Sequence, residues 1–393
     1  MLTDTQRAII KQTVPLLETG GETLAKHFYN IMLNEYTDVR PLFNKTNQVT
    51  GDQPRALANS VLMYAKHIDD IDALNELVSR VTNKHAALQV LPEHYDIVGT
   101  CLLRAIREVL GAEIATDEVI AAWHAAYNQL ADILKSIEEN LYQSQEDAEG
   151  GWRGERLFKV IKKVPESTEI TSFYLAPKDG KAIIKHKPGQ YLGLRFILLE
   201  GEQRRNYSIS DAPNGKYYRI SVKREHNGVI SNHLHNSVQV DDIVRVFPPF
   251  GDFTLQESNK PLVFISGGVG ATPLLAMLQT VLQDNNQRPI YFIHAARNAE
   301  VDGFSHWLKE QQKQHQNLHC YFCYDEDAQH MADIEGRINK ELLSQWIPQN
   351  RDVDAYFLGP KAFMIEINKL LKEIGIPKQQ THFEFFGPAS ELA

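Results

Sequence analysis

The chain has 393 residues, 43% of them hydrophobic and 23% charged, with a mean hydropathy of −0.35. That length exceeds what one hydrophobic core sustains, so two or three domains are expected, and the composition is that of a globular protein rather than a disordered or membrane-resident one. A formal charge of −9 and a pI near 5.9 argue against a phosphate-backbone partner, so no nucleic acid is expected.

No run approaches the roughly 20 apolar residues of a membrane span. The start, MLTDTQRAIIKQ, lacks a basic segment followed by an apolar core, so a cytoplasmic protein without stable membrane insertion is expected. The first 145 or so residues carry apolar side chains at helical spacing. Leu57, Val61, Tyr64 and Ile68 form one stripe, and Leu74, Val78, Val81, His85 and Leu88 another. Ile120, Trp123, Tyr127, Leu130, Leu134, Ile137 and Leu141 alternate by threes and fours in the clearest helix. The polar segment QSQEDAEGGW then reads as a linker.

Short strand-like runs follow: RLFKVIKKV, EITSFYLAP, QYLGLRFIL, YYRISVKRE and DIVRVFPPF, broken by Gly, Pro, Asp and Asn. They predict a small antiparallel barrel. From about residue 261, PLVFIS, PIYFIHAA, LHCYFCY and DAYFLG alternate with helical stretches, the pattern of a parallel α/β sheet. The boundaries are read as 1–147, 152–256 and 260–393. Three cysteines make no disulfide framework. Cys320 and Cys323 lie on one strand at an odd spacing, which sends them to opposite faces and predicts two packed thiols rather than a metal or redox pair.

Taken alone, His85 is a core histidine on an apolar helical face. Its company adds to that: Gln53 and Leu57 share a face of the preceding helix, and Tyr29 and Phe43 lie upstream, so two helices could face each other across a flat apolar cofactor. Together these residues match the globin pattern, and NKHAALQVLPEHYDIVG with the GGW junction resembles the bacterial and yeast flavohemoglobins along essentially the whole chain. The resemblance implies an all-α globin domain with one heme b, an antiparallel β-barrel FAD-binding domain, and an α/β parallel-sheet NAD(P)-binding domain like that of ferredoxin reductases.

It implies His85 as the metal ligand, Phe43 packed on the porphyrin, and Tyr29 with Gln53 lining the distal pocket beside Leu57. Behind His85 it implies Tyr95, in a new helix after Pro92, and Glu138 on the last helix, with Lys84 as a modulator. A carboxylate there makes the imidazole more electron-donating, favouring O2 activation over carriage. The Tyr29 phenol is a donor for O2 at the iron, where negative charge develops.

In RRNYSIS, the order R-x-Y-S resembles the flavin motif of the ferredoxin-reductase family and implies Arg205, Asn206, Tyr207 and Ser208 as FAD contacts. Alternation puts Arg205 and Tyr207 on one face and Ser208 on the other. GQYLG implies Gln190 and Tyr191 on the flavin's other side. GVISNHLH implies Gly228, Val229 and Ser231 at a helix start, offering backbone N–H groups and a cap hydroxyl to phosphate, and PPFGDF closes the barrel. The pyrophosphate contacts make the expected flavin FAD rather than FMN. In VFISGGVGATP, Gly267, Gly268, Val269, Gly270, Ala271, Thr272 and Pro273 follow a strand and open a helix capped by Thr272, where a dinucleotide phosphate can approach bare backbone.

HFEFFGP implies Glu384, Phe385, Phe386, Gly387 and Pro388 at the flavin, with Phe386 where nicotinamide must stack. Leu358 stands where many relatives have Cys, which bears on how well nicotinamide is seated. Arg297 could meet a 2′-phosphate, no acidic ribose partner stands out, and NADH versus NADPH stays open. The implied activity is that of a nitric oxide dioxygenase for detoxification: NAD(P)H reduces FAD, FAD reduces heme, and O2 held by heme converts nitric oxide to nitrate. A monomer with O2 and nitric oxide as substrates is expected. Two other readings are a heme-based gas sensor, which would need an output domain, and a reductase of lipid hydroperoxides or quinones, for which Leu57 and the apolar helices would admit a lipid in the distal pocket.

Overall fold

Thr3 starts the first helix through a capping box: its hydroxyl accepts from Gln6 N at 3.2 Å, and the Gln6 side chain accepts from Thr3 N at 2.9 Å. In the computed structural model, which describes residues 2–43, 48, 50–199, 201–284, 287–326 and 331–387, this helix is α1 (Asp4–Glu35). A 3-10 turn, Thr37–Leu42, leads to Phe43. Then come α2 (Asp52–Lys66), α3 (Asn75–Leu88), α4 (Pro92–Leu110) and α5 (Asp117–Asp147). Helix α3 stops where Gln89 turns left-handed, with φ 57°, and Pro92 opens α4 at its first turn, where a missing N–H costs nothing. Phe28, Met32, Tyr64, Leu102, Ile106 and Trp123 fill the core between these helices.

The last helix is longer than its sequence suggests. QSQED, read as linker, continues α5 to Asp147, because five polar residues without Gly or Pro do not end a helix; the chain breaks only at Gly150, where φ is +73°.

Six antiparallel strands follow: β1 (Arg156–Pro165), β2 (Ile170–Pro177), β3 (Tyr191–Leu198), β4 (Gly201–Ser208), β5 (Tyr218–Lys223) and β6 (Ile243–Phe250), with helix α6 (Val229–Asn236) between the last two. They pair in the order β4-β3-β6-β1-β2-β5. An antiparallel bridge from Ile209 to Ile220 joins the two ends and closes the barrel around Phe158, Phe173, Leu192, Leu194 and Val246.

The remaining strands are β7 (Leu262–Gly267), β8 (Ile290–Ala296), β9 (Leu318–Tyr324), β10 (Ile334–Glu335), β11 (Asp354–Leu358) and β12 (Thr381–Phe383), all parallel in the order β10-β9-β8-β7-β11-β12. Helices α7 (Ala271–Gln283), α8 (Ser305–Gln314), α9 (Lys340–Trp346) and α10 (Lys361–Glu373) connect them. Cys320 joins the apolar cluster on one face of this sheet and Cys323 that on the other. Burial pushes both thiols up to about 12, so they are packing groups. Among the described residues no helix is long and apolar enough to cross a membrane.

One junction positions everything that follows. Helix α3 lies directly on the barrel, close enough that a Cβ on Gly193 of β3 would sit 1.9 Å from the Ala87 carbonyl oxygen. Glycine is required there because the two backbones meet without room for a side chain. Asn83 accepts a hydrogen bond from Gly251 N at 2.9 Å, Ser79 donates to Asp252 at 2.9 Å, and Arg204 donates to the carbonyl of Leu88. Ala86, Ala87, Tyr142, Tyr191 and Phe250 form a small apolar cluster across the same boundary.

Candidate functional site

The helix stripe of α3 turns His85 toward α4 and α5, and there three side chains meet. Glu138 Oε1 lies 2.7 Å from His85 Nδ1 and accepts from Tyr95 OH at 2.6 Å, while Tyr95 OH also lies 3.1 Å from the same ring nitrogen. Glu138 is 3% exposed, on the inner face of α5 as expected. With its oxygen facing both partners, the Glu138 carboxyl orients the imidazole ring through Nδ1. That leaves Nε2 for a metal. The His85 side chain is 34% exposed although its neighbours are buried, so one side of the ring opens into free space rather than core, as a heme ligand requires. Burial, then the Glu138 charge, pushes the Tyr95 phenol far up, so it stays a donor.

On the facing side, α1 and α2 bring Tyr29, Phe43, Gln53 and Leu57 together. The Phe43 ring meets Tyr29 edge-on at 5.6 Å and 74°. Tyr29 is buried and hydrogen-bonded to the Gln53 side chain, burial holding its phenol well above the ordinary value, so it too remains protonated. Gln53 also accepts from Gln48 at 2.9 Å. Leu57 packs against the helical core beside them.

The flavin motif sits at the end of β4. Tyr207 and Arg205 are half-buried and Ser208 is buried on the other face, as the strand period requires. Burial shifts the Tyr207 phenol up and the Arg205 guanidinium down, and Arg205 donates to Arg204 O at 2.7 Å and to the Gln203 side chain at 2.8 Å. Asn206 points outward. Gln190 accepts from Lys187 N at 2.9 Å, and the Tyr191 ring lies over Gly251, where a Cβ would come within 2.8 Å.

Gly228 and Val229 open α6, but Ser231 is not its cap. Its hydroxyl accepts from Glu225 N at 3.1 Å and donates to Gly228 O at 3.2 Å, bracing the loop before the helix. Thr272 is likewise no cap: it lies inside α7, whose N-cap is Gly270, and its hydroxyl donates back to Val269 O at 3.0 Å. In both cases a hydroxyl inside the first turn donates to the backbone carbonyl three residues before it instead of capping the helix's own orphan N–H groups.

Phe385 is buried, and Phe386 is 51% exposed. Lys84, next to His85 in sequence, donates to the carbonyls of Phe385 and Gly387, which ties the proximal helix to the chain's last segment. Pro388 lies outside the described residues. Burial, partly offset by the Lys84 charge, raises the Glu384 carboxyl to about 7, and Glu384 Oε2 is buried without a hydrogen-bond partner among the described residues. An orphaned buried carboxyl oxygen between the barrel and the last strand calls for a polar ligand there, and a flavin's ring edge fits that need.

Gly267, Gly268, Val269 and Gly270 line a cleft of about 960 Å3, which also takes in Phe385, Phe386 and Gly387. Gly268, with φ +54°, faces open space, whereas a Cβ on Gly270 would strike the Leu358 carbonyl at 2.4 Å, so the loop is seated on β11 and bare toward the cleft. Ala271 and Pro273 are buried at the start of α7, whose amides face the same loop. The far wall comes from Asp52, Arg55, Ala56 and Asn59 of α2 and from Glu169 of the barrel. Sequence reading missed these residues, together with Ser79, Asn83 and Arg204; only the doublet in RRNYS hinted that one arginine serves the domain contact.

Comparison with known proteins agrees with this layout. The globin family model matches residues 26–134, the oxidoreductase FAD-binding domain residues 157–255, and the oxidoreductase NAD-binding domain residues 264–369. Flavohemoproteins of Pseudomonas putida and Pseudomonas aeruginosa are each 58% identical over 393 residues, covering all of both chains. The flavohemoglobin of Malassezia yamatoensis, solved with bound FAD and heme, superposes with a TM-score of 0.87 at 28% identity, covering 98% of this chain and all of that one. The FAD/NAD-binding domain of a nitric oxide dioxygenase from Vibrio cholerae is 37% identical over 60% of this chain and all of its own, with a TM-score of 0.56. With the globin helices, the flavin barrel and the nucleotide sheet matched end to end, the chain belongs to the flavohemoprotein family.

Proposed function

We propose that the protein is a nitric oxide dioxygenase that uses NAD(P)H and O2 to convert nitric oxide to nitrate. The observation that carries this reading is the His85–Glu138–Tyr95 cluster, because a carrier of O2 gains nothing from a buried carboxylate on its proximal ligand, whereas a turnover enzyme does. The name of the Vibrio cholerae relative supports the same activity. When bound, FAD accepts hydride and releases single electrons, and heme supplies the iron at which O2 and nitric oxide combine.

The chain's own residues do the rest. His85 would hold the heme iron through Nε2, with Glu138 and Tyr95 orienting the ring through Nδ1. Phe43 and Leu57 wall the heme crevice, and the neutral Tyr29 phenol, held by Gln53, donates toward the distal side. Arg205, Asn206, Tyr207, Ser208, Gln190, Tyr191, Gly228, Val229 and Ser231 form the FAD site. Glu384, Phe385, Phe386 and Gly387 would cover the flavin, with Phe386 exposed where nicotinamide would displace it, and the resemblance adds Pro388, which lies outside the described residues. Gly267 to Pro273 receive the nicotinamide dinucleotide, against the aliphatic Leu358. Lys84 links the heme helix to the flavin cover. On this reading the domains divide at 1–147, 152–256 and 260–393, and the protein works in the cytoplasm. The test is nitric oxide consumption under air by heme- and FAD-replete protein given NADH; rapid loss with stoichiometric nitrate is expected, and its absence would overturn the assignment.

A further inference from the structure

In an open parallel α/β sheet a dinucleotide's adenosine ribose lies beyond the end of the second strand, and a cation there reads a 2′-phosphate. That strand is β8, which ends at Ala296, and the next residue is Arg297. The Arg297 guanidinium is already engaged: it donates to the carboxylate of Glu169, which comes from a different domain, on the turn between β1 and β2. The turn is braced from both sides. Thr168 donates through its amide and its hydroxyl to Glu300 O, at 3.1 and 3.0 Å, and the Ser167 hydroxyl accepts from Glu169 N and Ile170 N at 3.3 and 3.1 Å.

Glu169 and Arg297 line the same cleft as the Gly267–Gly270 loop. Three further cations in that cleft also face carboxylates, Arg337 opposite Asp325 at 3.6 Å, Lys223 opposite Glu225 at 3.2 Å and Arg55 opposite Asp52 at 2.9 Å. A 2′-phosphate, close to dianionic at neutral pH, would therefore meet a fixed carboxylate beside the cation it needs. A ribose 2′-hydroxyl instead finds an acceptor in that carboxylate.

We propose that Glu169 is a specificity-determining residue that makes the cleft select NADH over NADPH, by neutralising Arg297 and accepting the ribose 2′-hydroxyl. This rests on the nucleotide-site assignment above, and it gives the barrel domain a part in reading a ligand held by the neighbouring sheet. The pair is partly exposed, so its strength is screened, and the expected effect is a shift of preference rather than an absolute switch.

The test is calorimetric titration of the FAD- and heme-containing protein with NAD+ and with NADP+, alongside anaerobic flavin reduction by NADH and NADPH. Wild-type protein should bind NAD+ the more tightly. Glu169→Gln should shrink the ratio of the two dissociation constants by about tenfold, chiefly through tighter NADP+, with KM for NADPH falling and the limiting rate of flavin reduction unchanged. Adding Arg297→Ala to Glu169→Gln should remove that gain, which assigns it to the released guanidinium. A ratio that stays within about twofold of wild type in Glu169→Gln, or a gain that survives the second substitution, would overturn the proposal. If wild-type protein binds neither nucleotide, the nucleotide-site assignment itself fails and the proposal with it; binding of NAD+ with an unmoved ratio defeats Glu169 alone.

Discussion

Asn83, two residues before His85, accepts a hydrogen bond from the Gly251 amide at 2.9 Å, so the helix that carries the imidazole is tied by a side chain to the strand end that carries the flavin pocket. With Ala87 against Gly193 and Lys84 against the last segment, neighbouring residues on one stretch of a single helix all touch the reductase. His85 and the barrel are thereby held in register by short contacts rather than by the Ala148–Gly151 connection.

Replacing Gly193 by Ala forces a methyl group to within 1.9 Å of the Ala87 carbonyl, and neither backbone can yield without parting the two domains. The helix and the barrel should separate by an ångström or so, at a cost of about 1–3 kcal/mol. Flavin reduction by NADH should be unchanged, while electron delivery from flavin to heme slows by about tenfold or more. Stopped-flow traces at flavin and Soret wavelengths separate the two steps; equal slowing of both would contradict this account.

Glu138→Gln keeps the shape and one acceptor but removes the charge behind His85. Heme should stay bound, the iron–histidine stretching frequency should fall, and nitric oxide turnover should drop by about 10–100-fold, the usual range for losing such a partner of a metal ligand. Resonance Raman spectra of the ferrous protein are the direct readout. An unchanged frequency together with an unchanged rate would refute the electron-donating role.

Tyr29→Phe removes a phenol from the side facing His85 and leaves Gln53 in place. A hydrogen bond to a charged acceptor contributes about 1.5–3 kcal/mol, so O2 should dissociate about ten- to hundredfold faster. Flash photolysis measures it. A rate within about twofold of wild type would show that Gln53, not Tyr29, is the principal donor.

His186 is buried in the reductase with Nε2 3.0 Å from Asp211 O, and burial lowers its ring to about 4 from the ordinary 6.5. The unfolded chain therefore takes up a proton that the folded one refuses between those values. Stability is whole above pH 6.5 and is lost as pH falls toward 4, by about 3 kcal/mol from this residue. Urea midpoints of wild type and His186→Gln across that window should converge as the pH drops; parallel curves would place the acid sensitivity elsewhere.

Much of the candidate site could be read from spacing and type. The place of His85 on an apolar stripe and the alternation that puts Arg205 and Tyr207 together follow from helical and strand periods, which are local properties of the chain, whereas Glu138, at the edge of its helix's apolar stripe, was pointed to by the family resemblance. Thr272 and Ser231 have two classes of backbone partner within reach, and only the exact turn geometry decides that neither hydroxyl caps its helix. Helix α5 runs on through QSQED because that polar segment, linker-like in composition, contains nothing that breaks a helix.

By itself the sequence determined the order of helical, antiparallel and parallel segments, since each is written in a local period, and its resemblance to the flavohemoglobins pointed to His85 with Tyr95 and Glu138, to the R-x-Y-S segment and to the glycine loop as candidate site residues. Tertiary structure alone decided what crosses between domains: the seating of Asn83 on Gly251, the near-contact of Gly193 with Ala87, and the meeting of Glu169 with Arg297, 128 residues further along the chain. These pairings depend on the relative placement of three separately packed cores, and no periodicity in a chain encodes the distance between surfaces that belong to different cores.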